Sequence, residues 1–201
     1  LKSILMGAAF ELTNANNDGI IAELHRCWRD IYAVIGLRQG LSTEALRFAA
    51  TLSESLAPSR PLGEQDSVEL LKSKAVDAAQ IRRVANWLLD VARACDKITA
   101  NPRLNAVTRI SQARLLAVAI ISRSDISAPQ RKSLLSRWEK VTFRIYGLLA
   151  NDARTRVGEY VRLAWRVTNE KLSVAAIGKA ISAIGQDFPI EEAVKELRES
   201  N

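Results

Sequence analysis

Any nucleophilic catalysis in this 201-residue chain would have to be built on its single histidine, His25, which stands two residues before Cys27. Ser-His or Cys-His chemistry needs the base within hydrogen-bond reach of the nucleophile, and a spacing of two on a helix puts the two side chains on different faces. A lone helical histidine beside a tryptophan, here Trp28, reads as a structural residue. Cys27 and Cys95 lack the Cys-x-x-Cys pair or second histidine that a metal set requires, so they read as two buried, reduced thiols, which points to the cytoplasm. Neither a Gly-rich loop ending in Lys-Ser or Lys-Thr nor a Gly-x-Gly-x-x-Gly run is present to cradle a phosphate. The carboxylate pairs Asp66/Glu69 and Glu191/Glu192 fall at helix starts, where acids offset the exposed amides of the first turn. The expectation is a segment with no catalytic residue, no metal site and no cofactor of its own.

What remains is cation chemistry. Residues 101–168 hold thirteen Arg and Lys against four acids, so this third of the chain carries more than the whole formal charge of +7. Clustered guanidinium groups make paired contacts to phosphate and release condensed counterions, which makes duplex DNA the partner to test. Charge alone gives equal weight to a solvated basic face with no ligand. Arg137, Lys140 and Arg144 recur at steps of three and four beside an apolar stripe and form a basic ridge. Arg162 and Arg166 lie one turn apart on the next helix, and with Arg154 and Arg156 they complete the candidate DNA-binding set. Of the four tryptophans, Trp28, Trp87 and Trp138 fall on or beside apolar stripes and belong to the core. Trp165, next to Arg166, could stack a base, although core or interface placement is favoured for it too.

These residues must be positioned by helices. Five prolines and nine glycines interrupt a chain dominated by Ala, Leu, Arg and Glu, and 48% hydrophobic residues suffice for a core. Leu1, Leu5, Ala8 and Leu12 mark a first helix, and residues 14–19 read as a turn. Ile20, Leu24, Trp28, Ile31 and Ile35 mark a second, and Ser42 is a candidate N-cap for a third. Pro58 and Pro61 end that third helix in a linker over residues 57–63. The helical pattern from Glu64 to Ile98 is long enough to bend or break between Ser73 and Asp77, and Pro102 marks the next junction. Ile110 to Ile121 is apolar nearly all round, as suits a helix surrounded by others. Ser127-Ala128-Pro129-Gln130 has the form of a capping box starting the helix with the stripe Leu134, Trp138, Val141, Ile145 and Leu148. Helices from about Arg154 to Val167, after Leu172-Ser173 and from Pro189 follow. The sequence thus predicts an all-α bundle of about eight or nine helices, residues 1–201 forming a single helical domain with candidate sub-boundaries at 57–63 and 99–103. The longest apolar run, Leu115 to Ile121, is too short to span a membrane, and no signal pattern is present. The chain opens without Met on residues that look like the inside of a helix, which is expected of a piece of a larger protein.

The stretch Phe143-Arg144-Ile145-Tyr146, followed by Arg154, Arg156, Gly158, Tyr160 and Leu163-Ala164, resembles the helical region of GmrSD-type restriction proteins. Leu1-Lys2-Ser3-Ile4-Leu5 is similar to the Leu-Lys helix that follows that family's first catalytic domain. Trp28-Arg29-Asp30-Ile31 and Leu46-Arg47-Phe48 resemble its later landmarks, and order and spacing agree over about residues 1–167. The family joins a ParB-like N-terminal domain, marked by Asp-Gly-Gln-Gln-Arg and associated with nucleotide hydrolysis, to a His-Asn-His type nuclease, and acts on modified or foreign DNA in defence against phage. This chain has no Asp-Gly-Gln-Gln-Arg stretch and one histidine, so no catalytic residue carries over. The resemblance implies a helical middle segment that positions the catalytic ends of a nucleotide-dependent restriction endonuclease and touches DNA. The rival expectation is a structural interdomain or oligomerisation module, partnered by neighbouring domains or a second copy, with no DNA contact.

Overall fold

The computed structural model describes residues 2–11, 18–36, 38, 40–107 and 109–199. The fold is all-α: eleven α-helices follow one another, and the described residues contain no strand. They group into two compact units, Leu1–Glu54 with Leu62–Lys97 and Ser55–Pro61 with Ile98–Asn201.

The first unit contains α1 (Lys2–Glu11), α2 (Asp18–Ile35), α3 (Leu41–Leu52), α4 (Glu64–Ser73) and most of α5 (Ala78–Ala100). The apolar steps of three and four fix its core: Leu5, Leu24, Ile31, Phe48, Leu52, Leu71 and Ile81 are all at most 1% exposed. Trp28 is buried with them. Trp87 is half-buried, its indole N–H donating to Ala49 O at 3.0 Å. α3 begins at Leu41, with Gly40 in the left-handed region (φ 83°) as its N-cap, so the predicted cap at Ser42 is superseded. Glycine takes that backbone conformation without the Cβ clash other residues meet, which decides where the helix starts. Arg47 Nε donates to Leu62 O at 2.7 Å, and Thr51 Oγ1 accepts from Leu62 N at 3.0 Å, tying the chain after the linker back to α3. The long pattern from Glu64 does break at 74–77, where Asp77 Oδ1 accepts from Gln80 N at 2.8 Å and caps α5. Of the turn expected at 14–19, Asp18 and Gly19 belong to α2; residues 14–17 lie outside the described residues, as do Leu1 and Leu12.

The second unit holds α6 (Pro102–Val107), α7 (Ser111–Ser122), α8 (Ala128–Phe143), α9 (Val157–Asn169), α10 (Val174–Ile184) and α11 (Ile190–Glu199). α7 is its axis. Every residue from Gln112 to Ile121 is buried, chiefly against α9 and α8, as expected of a helix apolar on all sides. Trp138 is fully buried, and its indole N–H donates to Ala113 O at 2.9 Å. Thr142 Oγ1 and Tyr160 OH lie 2.9 Å apart in the same core, so the buried hydroxyls satisfy each other. Ser127 and Gln130 start α8 as predicted, the Ser127 N–H donating to Gln130 Oε1 at 3.2 Å.

α8 does not end where its α-pattern stops. Residues Arg144–Leu148 form a wide π-helical turn closed by Leu149 N donating to Arg144 O at 3.0 Å. α9 starts at Val157, three residues later than predicted, because residues 153–156 form a turn and Arg156 itself is left-handed (φ 57°). The described residues form eleven helices, close to the eight or nine expected, because 64–98 supplies two and Pro102 opens the short α6.

Candidate functional site

The basic residues of the second unit fall into two groups according to what their side chains touch. One group serves the fold. Arg123 holds Asp125 with two bonds of 2.6 Å, which keeps that carboxyl down at about 2, and its Nη1 donates to Val167 O (2.6 Å) and Leu172 O (3.3 Å) at the end of α9. Arg131 Nη2 donates to Arg123 O and Ile126 O at 2.6 and 2.9 Å. Arg103 pairs with Glu139 at 2.6 Å, and Arg114 is buried on Thr99 and Asn105. These contacts tie helix ends and loops together through carbonyl and carboxylate acceptors.

The other group borders an open groove of about 1200 Å³ between α8, α10 and the start of α11. Lys132, Arg137 and Lys140 reach it from α8, Arg144 from the π-helical turn and Lys179 from α10. Glu191 is the one carboxylate on its wall. Serines 133, 136 and 182 and Gln186 supply neutral hydrogen-bonding groups. The described residues place no carboxylate in an ion pair with any of the five cations. The wall therefore carries a net positive charge, and anions are the ligands it attracts.

Two of the five are held by α10. Arg137 Nη1 donates to Ser182 Oγ at 3.0 Å and Gly178 O at 3.3 Å; Arg144 Nη2 donates to Gly185 O at 2.9 Å. The predicted ridge of Arg137, Lys140 and Arg144 thus exists as a row, but its two arginines lean onto the neighbouring helix, while Lys140 stays exposed. Neutral acceptors leave the guanidinium charge in place, so the bonds orient the groups without cancelling them. Gly185 is needed for this approach: a Cβ there would sit 2.9 Å from Val141 Cγ1 and would also collide with the Arg144 guanidinium.

The remaining predicted residues lie on α9 and the turn before it. Arg156 pairs with Glu159 at 3.1 Å and with Asp187, and Arg166 pairs with Glu170 at 2.8 Å, so both are largely neutralised. Arg162 is exposed, packed over Gly158, and forms no ion pair among the described residues. Arg154 is exposed in the turn, away from both grooves' walls. Arg156, Arg162 and Arg166 share a second, smaller hollow between α9 and α10. Trp165 is half-buried on the same helix. Sequence reasoning counted Lys132 in the basic segment without placing it on the ridge, and it missed Lys179. Lys132 sits two helical turns before Lys140, a spacing visible in the sequence, whereas Lys179 joins the groove only because α10 packs against α8.

The remaining candidates for nucleophilic or metal chemistry lie in the first unit. His25 is exposed; Cys27 and Cys95 are buried and form no disulfide. Burial, and secondarily the Asp30 charge, pushes the Cys27 thiol up to about 11, so the side chain is not a thiolate nucleophile at neutral pH. Among the described residues no three His, Cys, Asp or Glu converge as a metal site would need, and no helix is long and apolar enough to cross a membrane. Compared with family models, with curated proteins and with solved structures, the chain finds no match.

Proposed function

We propose that this chain is a non-catalytic helical segment of a GmrSD-type DNA-restriction protein, one that contacts DNA phosphates along the groove between α8 and α10 while neighbouring domains perform catalysis. The observation that carries the DNA contact is the groove wall itself: five cations face one carboxylate, and the arginines among them are oriented by neutral acceptors. The assignment to restriction and phage defence rests on the ordered sequence resemblance over residues 1–167. An upstream Asp-Gly-Gln-Gln-Arg motif in the parent protein is its test, and absence of that motif removes it.

Five engaged phosphates would give a log-log salt slope of roughly −4 to −5 for duplex binding, taking about 0.9 per contact. Replacing Lys132, Lys140 and Lys179 together by Ala should flatten the slope by about three units. Among the described residues none of the three holds a hydrogen bond or ion pair, so the helical circular dichroism should stay unchanged. Absence of duplex binding even at low salt would overturn the DNA contact. A structural module is the second reading, favoured by the bonds of Arg137 and Arg144 to α10 and by the ion pairs of Arg156 and Arg166. On that reading the triple lysine variant behaves as the parent protein.

A further inference from the structure

α10 has an open trough on each side. The groove described above lies on its α8 side. On its α9 side is the hollow of about 310 Å³ that holds Arg162 between the ion-paired Arg156 and Arg166, with Glu159, the partner of Arg156, also on its wall. Ala183 lies on the wall of both, so this stretch of α10 is a ridge between them. The helix pattern shows which residues form the crest: Ile177, Gly178, Ile181 and Ile184 are buried, whereas Ala175, Ala176, Lys179, Ser182 and Ala183 are exposed. Apart from Lys179, no side chain on the crest is larger than serine.

We infer that the crest of α10 enters the major groove of duplex DNA, with the phosphates of one strand in the α8 trough and those of the other in the α9 trough. The inference rests on the DNA contact proposed above and adds its geometry: which element enters, which groove, and how the two strands divide. A helix with its side chains is about 10–12 Å across, which fits a major groove about 12 Å wide and not a minor groove about 6 Å wide. Alanines on the crest let the helix backbone approach the bases closely, and Lys179 is the crest group long enough to reach acceptors such as guanine O6 and N7. Arg162 on the α9 flank and the groove cations on the α8 flank can each meet a phosphate, and a duplex supplies phosphates on both flanks where a single strand does not. The deep, narrow major groove of an A-form RNA duplex does not admit a helix.

The test uses the full chain and a fluorescent DNA duplex of about 20 base pairs at low salt, followed by anisotropy. Lys140→Glu reports on the α8 trough, Arg162→Glu on the α9 trough and Ala176→Trp on the crest, and circular dichroism checks that each variant folds. Each should weaken duplex binding about tenfold or more, the size of one lost phosphate or base contact, and each charge reversal should lower the salt slope by at least about one. Methyl green, which occupies the major groove, should displace the protein; netropsin, which fills the minor groove, should not. An RNA duplex of equal length should bind about tenfold more weakly or worse. If Arg162→Glu and Ala176→Trp bind like the parent while Lys140→Glu does not, the straddling geometry is wrong and the phosphate contact at the α8 groove stands. The geometry also falls if netropsin competes or if duplex RNA binds as well as DNA. If no form of the protein binds a duplex, the DNA contact itself is wrong.

Discussion

Arg144 is the residue on which the second unit's basic groove depends most directly. Its Nη2 donates to Gly185 O at the end of α10, which also accepts from the Phe188 N–H at 3.2 Å, and a Cβ at 185 would meet both Val141 and the Arg144 guanidinium. Arg144→Ala should therefore destabilise the protein by about 1–2 kcal/mol, the range for losing a hydrogen bond from a charged group while its acceptor keeps a second donor, the Phe188 N–H. Arg144→Lys should recover only part of that, because an ammonium cannot reproduce the planar fork. Urea denaturation compared with Lys140→Ala is the measurement, since Lys140 shares the groove but holds no such bond. Equal stability of the two variants would show that Arg144 does not anchor α10. At this scale the sequence was partly legible. The steps of three and four put Arg137, Lys140 and Arg144 on one flank of α8, but nothing in local spacing says that two of them turn onto a helix more than forty residues ahead. The same holds for Arg123, whose partners Val167 and Leu172 are set by tertiary packing.

Among the elements, α7 is the one whose role the sequence predicts best. A run of Leu115 to Ile121 with interleaved alanines has no polar face to offer solvent, so it must be surrounded, and all ten residues from Gln112 to Ile121 are buried. Ala117→Leu should overpack this centre and cost about 1–3 kcal/mol, whereas Ala176→Leu on the exposed crest of α10 should change stability by less than about 0.5 kcal/mol. Thermal unfolding of the two variants side by side tests the contrast, and a stable Ala117→Leu would mean that α7 has room beside it. Element starts were less legible than element identities. The capping box at Ser127 and Gln130 is a local device, legible from the spacing of those two residues. The start of α3 depends on a left-handed glycine, and that of α9 on a left-handed Arg156, a conformation that no residue type advertises when it is not glycine or asparagine. The π-helical turn at 144–148 is equally silent, because it adds one residue to a turn without changing the hydrophobic period around it.

On the scale of the whole molecule, helix content follows from composition and period, but the division into two units does not follow simply from where helices stop, since one boundary, between Lys97 and Ile98, lies within α5. Between α3 and α4 the chain runs from Ser53 to Gly63 without a helix, and Leu56 is 80% exposed. Brief chymotrypsin treatment should cut after Leu56 before any site in α7 or α8, while trypsin should spare Arg60, whose following residue is Pro61. Mass spectrometry of the first fragments decides it, and an earliest cut inside a helix of either unit would contradict the exposure of this segment. Charge is distributed as unevenly in the structure as in the sequence, yet its meaning changes. Of the thirteen cations of residues 101–168, those on Arg103, Arg123, Arg156 and Arg166 are spent on carboxylates, and Arg131, Arg137 and Arg144 meet carbonyls. A count of arginines overstates the charge available to a ligand, and the lysines, silent in any motif, carry more of it than their number suggests.

The bond from Arg144 to Gly185 also changes the field along α10. The aligned peptides of a helix leave about half a unit of positive charge at its amino end and half a unit of negative charge at its carboxyl end. In α10 the carboxyl end is covered by a guanidinium, while the amino end, begun at Ser173, keeps its own partial positive charge. The helix therefore presents no negative pole, and a negatively charged chain lying along it would be attracted over its whole length whichever way it ran.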